Sequence, residues 1–289
     1  MNSDNEGFRG GIAAGLYLVA TPIGNARDIT LRALDLLREA DVLAAEDTRT
    51  LRRLMEIHGI AVGDRPLVAY HDHNGNRARP RLLADLAAGK SVVYASEAGT
   101  PMISDPGFDL ARAAQEEGLP VTSAPGAAAV ITALTISGLP TDRFMFAGFL
   151  PNAKGARKKA LGELAAVPGT LAFYESPKRV AAMLADAAEI LGDRPAAVCR
   201  ELTKKFEECR RGSLTELSAF YSETQARGEI VVLIEKGSLP DVSETDVEQK
   251  VKEALETMSV RDAADHVSAA LGVKRRPVYQ MAMKLAQGE

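Results

Sequence analysis

Ser91-Val92-Val93-Tyr94-Ala95-Ser96-Glu97-Ala98-Gly99-Thr100-Pro101 sets a short apolar run directly before a turn built on glycine and proline. Val92, Val93 and Tyr94 favour extended backbone, and a strand without polar alternation suits a parallel sheet covered by helices on both faces. In an open α/β sheet, ligands bind at the carboxyl ends of the strands, so the turn after this strand is the first place to look for chemistry. Gly99 has no Cβ and lets backbone groups approach a ligand closely, while Pro101 stiffens the turn.

Outward from this stretch the same punctuation repeats. Towards the N-terminus, Leu16 to Ala20, Val42 to Ala45 and Leu67 to Tyr70 read as strands, separated by helices carrying Leu31, Leu34 and Leu37, then Leu51, Leu54 and Met55 up to Gly59, then Leu82, Leu83 and Leu86 up to Gly89. Towards the C-terminus, Asp105-Pro106 reads as an N-cap followed by proline at the first helical position, with the helix running to Glu117 and strand Val121 to Ala124 after Gly118. A second α/β half follows, with strands at Phe144 to Ala147, Thr170 to Tyr174, Ala196 to Cys199, Phe206 to Arg211 and Ile230 to Glu235, and helices near 157–166, 178–191 and 213–222. The alternation in Phe206 to Arg211 and its short connection from Cys199 predict a partly antiparallel second sheet. Residues 244–287 lack strand character; Val260 to Leu271, Gly272 and Arg275 to Leu285 have helix-turn-helix proportions. The expected organisation is a loose N-terminus over 1–14, α/β domains over 15–125 and 126–237, and a linker with a helical domain over 238–289.

Two further strand ends carry loops like the first: Thr21-Pro22-Ile23-Gly24-Asn25 and Pro125-Gly126-Ala127-Ala128-Ala129. Any one such loop is an ordinary turn, but three in one sheet point to a ligand. None is GxGxxG or GxxxxGK[ST], so neither a dinucleotide nor ATP is indicated. The small side chains at Ala127, Ala128 and Ala129 leave room for a flat or thioether-bearing group, or serve tight packing.

Composition narrows the class. The 289 residues are 46% hydrophobic and 26% charged, ordinary for a folded globular chain, and no apolar run reaches the ~18 residues of a membrane helix. The opening is too polar for a secretory signal, and the two cysteines, Cys199 and Cys209, read as reduced thiols, so a cytoplasmic location is expected. A net charge of −4 gives no general attraction for nucleic acid, so RNA contact must come from local clusters. Lys154-Gly155-Ala156-Arg157-Lys158-Lys159 is the densest, expected on a loop, and Lys274-Arg275-Arg276 opens the last helix; Arg52, Arg53, Arg77, Arg79 and Arg81 are further basic positions.

TPIGN at Thr21, AAEDTR at Ala44 to Arg49, HDHN at His71 to Asn74, AGTP with ISDPG after it, FYESPKR at Phe173 to Arg179, RELTK at Arg200 to Lys204 and RGE at Arg227 to Glu229 occur in this order. Together they resemble the ribosomal RNA small subunit methyltransferase I family, which has the tetrapyrrole methylase fold. The resemblance spans about Leu16 to Gly237 and continues into the helical tail. It implies two α/β domains with S-adenosylmethionine in the cleft between them, 2′-O-methylation of a cytidine in the decoding region of 16S rRNA within the 30S subunit, and a homodimer. Position by position it implies cofactor contacts at Pro22, Ser96, Glu97, Thr100, Ala128, Ala129, Tyr174, Glu175, Glu201 and Glu229, beside Gly24 and Gly99 from the loops themselves. One departure stands out, because the family usually has aspartate where this chain has Glu97.

Methyl transfer to a ribose hydroxyl needs in-line geometry and gains from a base within about 3 Å of the oxygen. Asp105, Glu46 and His71 are the candidates; Asp47 and His73 also sit on bordering loops. Glu46 and Asp47 have a local alternative in pairing with Arg49, and Asp105 in helix capping. His71 and His73, with no nearby cysteine or third histidine, make no metal set. Two competing readings are methylation of a porphyrinoid and a non-enzymatic RNA-binding protein.

Overall fold

The computed structural model describes residues 11–71, 74–102, 107–237, 244–271 and 273–287, so Asp105, His73 and Gly272 lie outside the described residues. The chain divides into two compact units, one up to Glu235 and one from Lys236.

The first unit holds two five-stranded sheets. In the first, β1 (Gly15–Val19), β2 (Val42–Ala45), β3 (Leu67–Ala69), β4 (Ser91–Ala95) and β5 (Val121–Ala124) are ordered β3-β2-β4-β1-β5, with every pair parallel. Helices α1 (Leu31–Glu39), α2 (Thr48–Ile57), α3 (Gly75–Ala87) and α4 (Gly107–Glu116) supply the covering layers. Alternate strand residues enter two separate cores: Val19, Leu43, Val93 and Ala95 pack with Leu36, Leu37, Leu51 and Met55, whereas Leu18, Val42, Val92 and Tyr94 pack with Leu82, Leu86 and Leu110. Burial on both faces of the three inner strands β1, β2 and β4 is why they carry no polar alternation, and each fully buried Leu or Val contributes about 1.5–3 kcal/mol relative to exposure. Helix starts are marked chemically: the Thr30 hydroxyl accepts from the Ala33 amide, and the Asp47 carboxylate accepts from Arg49 and Thr50.

The second sheet contains β6 (Phe144–Phe149), β7 (Thr170–Glu175), β8 (Pro195–Arg200), β9 (Glu208–Ser213) and β10 (Ile230–Ile234) in the order β6-β7-β10-β8-β9. Only β6 and β7 are parallel; the three other pairs are antiparallel, as the alternation before Arg211 predicts. One face packs against α6 (Lys154–Leu164), α7 (Val180–Leu191) and α8 (Leu214–Glu223). The other receives α5 (Ala129–Ser137), whose Val130, Ala133 and Leu134 meet Ala172, Ala197, Cys199 and Val231, joined by Ile23 from the first sheet's loop. Cys199 and Cys209 face each other across β8 and β9 as free thiols with sulfurs 3.4 Å apart, and burial pushes the Cys199 thiol up.

Helix α5 departs from the strand-and-helix pattern read in the sequence, which passes from β5 to β6 without it. Its residues, AVITALTIS, show no amphipathic stripe and include several β-branched side chains. Enclosure by the second sheet overrides that weak propensity. A second difference lies at Lys154 to Lys159, expected as a loop: helix α6 begins at Lys154.

The second unit is built from α9 (Glu244–Leu255), α10 (Val260–Leu271) and α11 (Arg275–Gln287) around Val247, Val251, Ala264, Val267, Val278 and Ala282. The two helices expected over 260–271 and 275–285 are present.

Candidate functional site

Strand β1 lies between β4 and β5, and Val19 is level with both Ala95 and Ala124. The three glycine and proline loops therefore emerge side by side at one sheet edge. They are fastened together: the Thr21 and Gly99 amides each donate to the other's carbonyl at 2.9 and 3.0 Å, and the Thr21 hydroxyl donates to Ser96 O at 3.2 Å. The buried Ser96 hydroxyl donates to Gly99 O at 2.6 Å, and the Thr100 hydroxyl to Ala127 O at 3.0 Å. Gly99 has φ +82°, and a Cβ there would stand 3.2 Å from the Ile23 side chain, so both conformation and space call for glycine.

Above this floor the second sheet supplies a wall. Antiparallel β7 and β10 set Glu175 level with Ile230 and Tyr174 level with Val231. Between floor and wall is a cavity of about 400 Å³, lined by Ile23, Glu97, Ala98, Gly99, Thr100, Ala128 and Ala129 from the loops, and by Glu46 at the end of β2. Phe149, Tyr174, Glu175, Leu202, Glu229, Ile230 and Val231 complete it. The Tyr174 ring meets Phe146 and Phe149 edge-on at centroid distances of 4.8 and 5.7 Å, and burial pushes its phenol up. Four carboxylates, Glu46, Glu97, Glu175 and Glu229, make the lining acidic. The Glu97 amide donates to Glu46 at 3.4 Å, which ties the ends of β4 and β2. Glu175 is buried; its Oε1 accepts from the Ser176 amide at 2.7 Å, whereas Oε2 has no hydrogen-bond partner among the described residues.

Of the residues expected at the cofactor, the structure brings Glu97, Gly99, Thr100, Ala128, Ala129, Tyr174, Glu175 and Glu229 to this cavity. Ser96 stands behind it, holding the turn from inside. Pro22 and Gly24 do not line it. A Cβ on Gly24 would fall 2.4 Å from Lys204 and 2.9 Å from the Thr203 hydroxyl, so that glycine serves the close approach of the 200–204 loop. Glu201 does not line it either. Glu201 sits in left-handed backbone at φ +50° and accepts from Lys204 Nζ at 2.9 Å and from the Glu229 amide at 3.1 Å. The Lys204 hydrogen bond holds its carboxyl below the usual range, and a Cβ on Gly228 would strike it at 2.2 Å. Glu201 is a clasp between the RELTK and RGE segments.

Among the catalytic candidates, Glu46 lines the cavity. Neighbouring Asp47 points elsewhere, capping α2 and pairing with Arg49, which holds its carboxyl down at about 2. His71 is half-buried after β3, where its amide donates to Asn74 at 2.9 Å, and it does not line the cavity. Motif reading missed Ile23, Phe149, Leu202, Ile230 and Val231, apolar residues whose part in the site is visible only once two sheets are apposed.

The basic stretch at 154–159 is divided by its helix. Arg157 is buried against Asp186 at 2.6 Å and donates to Asn152 O at 3.1 Å, so it is a core ion pair and not a phosphate contact. Lys158 pairs with Glu189 at 2.5 Å, leaving Lys154 and Lys159 exposed. In the second unit Arg275 pairs with Asp265 and lies over the Tyr279 ring, while Lys274 and Arg276 are exposed.

The sequence matches the model of the tetrapyrrole (corrin/porphyrin) methylases over residues 15–218 and that of the RsmI C-terminal HTH domain over 241–286. The Ribosomal RNA small subunit methyltransferase I of Erythrobacter litoralis is 47% identical over 276 residues, 95% of this chain and 96% of that protein. The chain belongs to the ribosomal RNA small subunit methyltransferase I family. The relative of the same name from Mesorhizobium japonicum is 44% identical over 272 residues, 93% of this chain and 92% of that one. Among solved structures, a cobalt precorrin-4 methyltransferase shares the fold with TM-score 0.58 at 20% identity, covering 76% of this chain and 94% of its own. Uroporphyrin-III C-methyltransferase from Thermus thermophilus, solved with S-adenosyl homocysteine, gives 0.54 at 23% identity, covering 76% and 97%. The family and fold expected from the ordered motifs both hold, and the chain is an enzyme of the methyltransferase class.

Proposed function

We propose that the cavity binds S-adenosylmethionine and that the chain methylates the ribose 2′-oxygen of a cytidine in the decoding region of 16S rRNA, with the 30S subunit as substrate. The feature that supports this most is the acidic lining: Glu46, Glu97, Glu175 and Glu229 suit a ligand that carries positive charge, as a sulfonium with an α-ammonium does, and disfavour a phosphate-rich one. The residues fit the cofactor in three further ways. The small side chains of Ala128 and Ala129 in the lining leave space for a flat base, the aromatic edge at Tyr174 and Phe149 offers an apolar contact, and the buried Glu175 Oε2 lacks the donor that a ligand would bring. The rRNA substrate follows the name of the relatives.

When bound, S-adenosylmethionine supplies an electrophilic methyl group. The chain's part is chiefly orientation: the fastened loops fix one side of the cleft and the Glu201 clasp fixes the other, so that an acceptor oxygen is held in line. Glu46, at the cavity and steadied by the Glu97 amide, is the described carboxylate best placed to take the ribose proton. Glu97 keeps the backbone part of this arrangement despite replacing aspartate. Exposed Lys154, Lys159, Lys274 and Arg276, together with exposed Arg52, Arg77 and Arg81, are cations open to RNA phosphates. A homodimer in the cytoplasm completes the reading; no helix among the described residues is long and apolar enough to cross a membrane.

Incubation of the purified protein with methyl-labelled S-adenosylmethionine and 30S subunits from a strain lacking the gene tests this. Label is expected on a ribose 2′-oxygen of 16S rRNA. Transfer to a porphyrinoid but not to 30S subunits would overturn the substrate.

A further inference from the structure

Arg179, at the end of the FYESPKR stretch, is used by no step above, yet its guanidinium sits at a junction. Nη2 donates to Leu150 O at 2.6 Å and to Pro151 O at 3.3 Å, and Nη1 donates to the Asn152 side chain. Nε lies 3.3 Å from Glu175 Oε1 as an ion pair without hydrogen-bond geometry, within a carboxylate that is 1% exposed. The connection from β6 to α6 and the wall of the cavity are therefore held by one planar cation. Glu175 Oε1 accepts from the Ser176 amide and faces this guanidinium as its counter-charge, which leaves Oε2 as the buried carboxylate oxygen without a hydrogen-bond partner among the described residues.

A buried carboxylate oxygen with no donor is costly, and a free side chain relieves that cost by rotating towards any donor within reach. Rotation here would break both contacts at Oε1. The geometry points to Arg179 as a positioning residue that acts through Glu175, holding the carboxylate by its charge so that Oε2 stays available to a donor group of a cofactor bound in the cavity that Glu175 lines. The planar fork matters, because it satisfies three residues of the 150–152 connection while still facing the carboxylate. Lysine can supply the charge but cannot serve all of these acceptors at once.

This inference rests on S-adenosylmethionine as the ligand. The test is a double-mutant cycle on the full-length protein, with titration calorimetry against S-adenosylmethionine and melting without ligand for Arg179→Ala, Arg179→Lys, Glu175→Ala and each Arg179 variant combined with Glu175→Ala. Arg179→Ala is expected to weaken cofactor binding roughly tenfold or more, Arg179→Lys to recover part of the loss, and Arg179→Ala to add less than about threefold once Glu175 is alanine. Unchanged affinity in Arg179→Ala, or the same loss with and without Glu175, overturns the role and leaves only a structural one. Should Arg179→Ala not fold, Arg179→Lys carries the same comparison. A wild-type protein that binds no S-adenosylmethionine overturns the cofactor reading and this inference together, whereas variants that bind as well as wild type overturn this inference alone.

Discussion

Ser96 to Pro101 and Lys154 to Lys159 are both stretches of unusual local composition, and the fold treats them in opposite ways. At Ser96 to Pro101 the informative property is backbone geometry. A glycine at φ +82° and a short hydroxyl bond stay put whatever lies around them, so the local sequence forecasts the outcome. At Lys154 to Lys159 the informative property is charge, and charge is redistributed by tertiary partners. Asp186 and Glu189 on α7, about thirty residues away, take up Arg157 and Lys158. Backbone chemistry is read locally; the availability of a cation is not.

The sharpest way to break this contrast is Arg157→Ala. If the pair with Asp186 belongs to the core, losing it leaves that buried carboxylate with only Lys158 at 3.9 Å and costs up to about 3–5 kcal/mol, visible as a lower urea midpoint. A near-normal midpoint with weakened RNA binding would return Arg157 to the RNA surface. Next in size, Gly99→Val is expected to lower S-adenosylmethionine affinity at least about tenfold, since a branched side chain meets both positive φ and Ile23. Gly118→Val is the control: it shares positive φ, has open space around its Cβ, and should lose stability without losing ligand. Equal affinity loss in both would mean that strain, not the cavity, is being measured.

Smaller again, Lys154→Glu with Lys159→Glu should lower the salt dependence of RNA binding by roughly two in log–log slope, with cofactor affinity unchanged. An unaltered slope removes α6 from the RNA interface. The smallest effect concerns acid. The Arg200 hydrogen bond, with burial opposing it and Arg210 assisting, holds the Glu208 carboxyl below its ordinary value. A depressed folded pKa gives stability that is complete above the unfolded value of about 4.3 and fades as pH falls through the folded one. Glu208→Gln should therefore flatten the fall of the urea midpoint below about pH 5, and an unchanged slope would show that the pair does not contribute.

Much of the fold was legible because the first sheet's inner strands β1, β2 and β4 are buried on both faces and helices start at capping residues such as Thr30 and Asp47. Helix α5 was not, because AVITALTIS owes its helix to enclosure by β8, β9 and β10. At the site, Glu97, Gly99, Thr100, Ala128 and Ala129 were accessible from loop chemistry and ordered motifs. Glu201 stood in the same motifs yet serves as a clasp, a distinction that depends on its close approach to Gly228, where a side chain would collide with it. Phe149 and Val231 carry no local signal; they reach the cavity only through strand pairing.

The reciprocal amide bonds between Thr21 and Gly99 turn two separate loops into a closed ring beneath the cleft. The entropy of ordering that ring is spent during folding, not at ligand capture. Association with a small ligand should then show little change in amide protection at these residues, and any slow step in capture should originate on the opposite side of the cleft, where the wall depends on side chains such as Glu175 and Phe149.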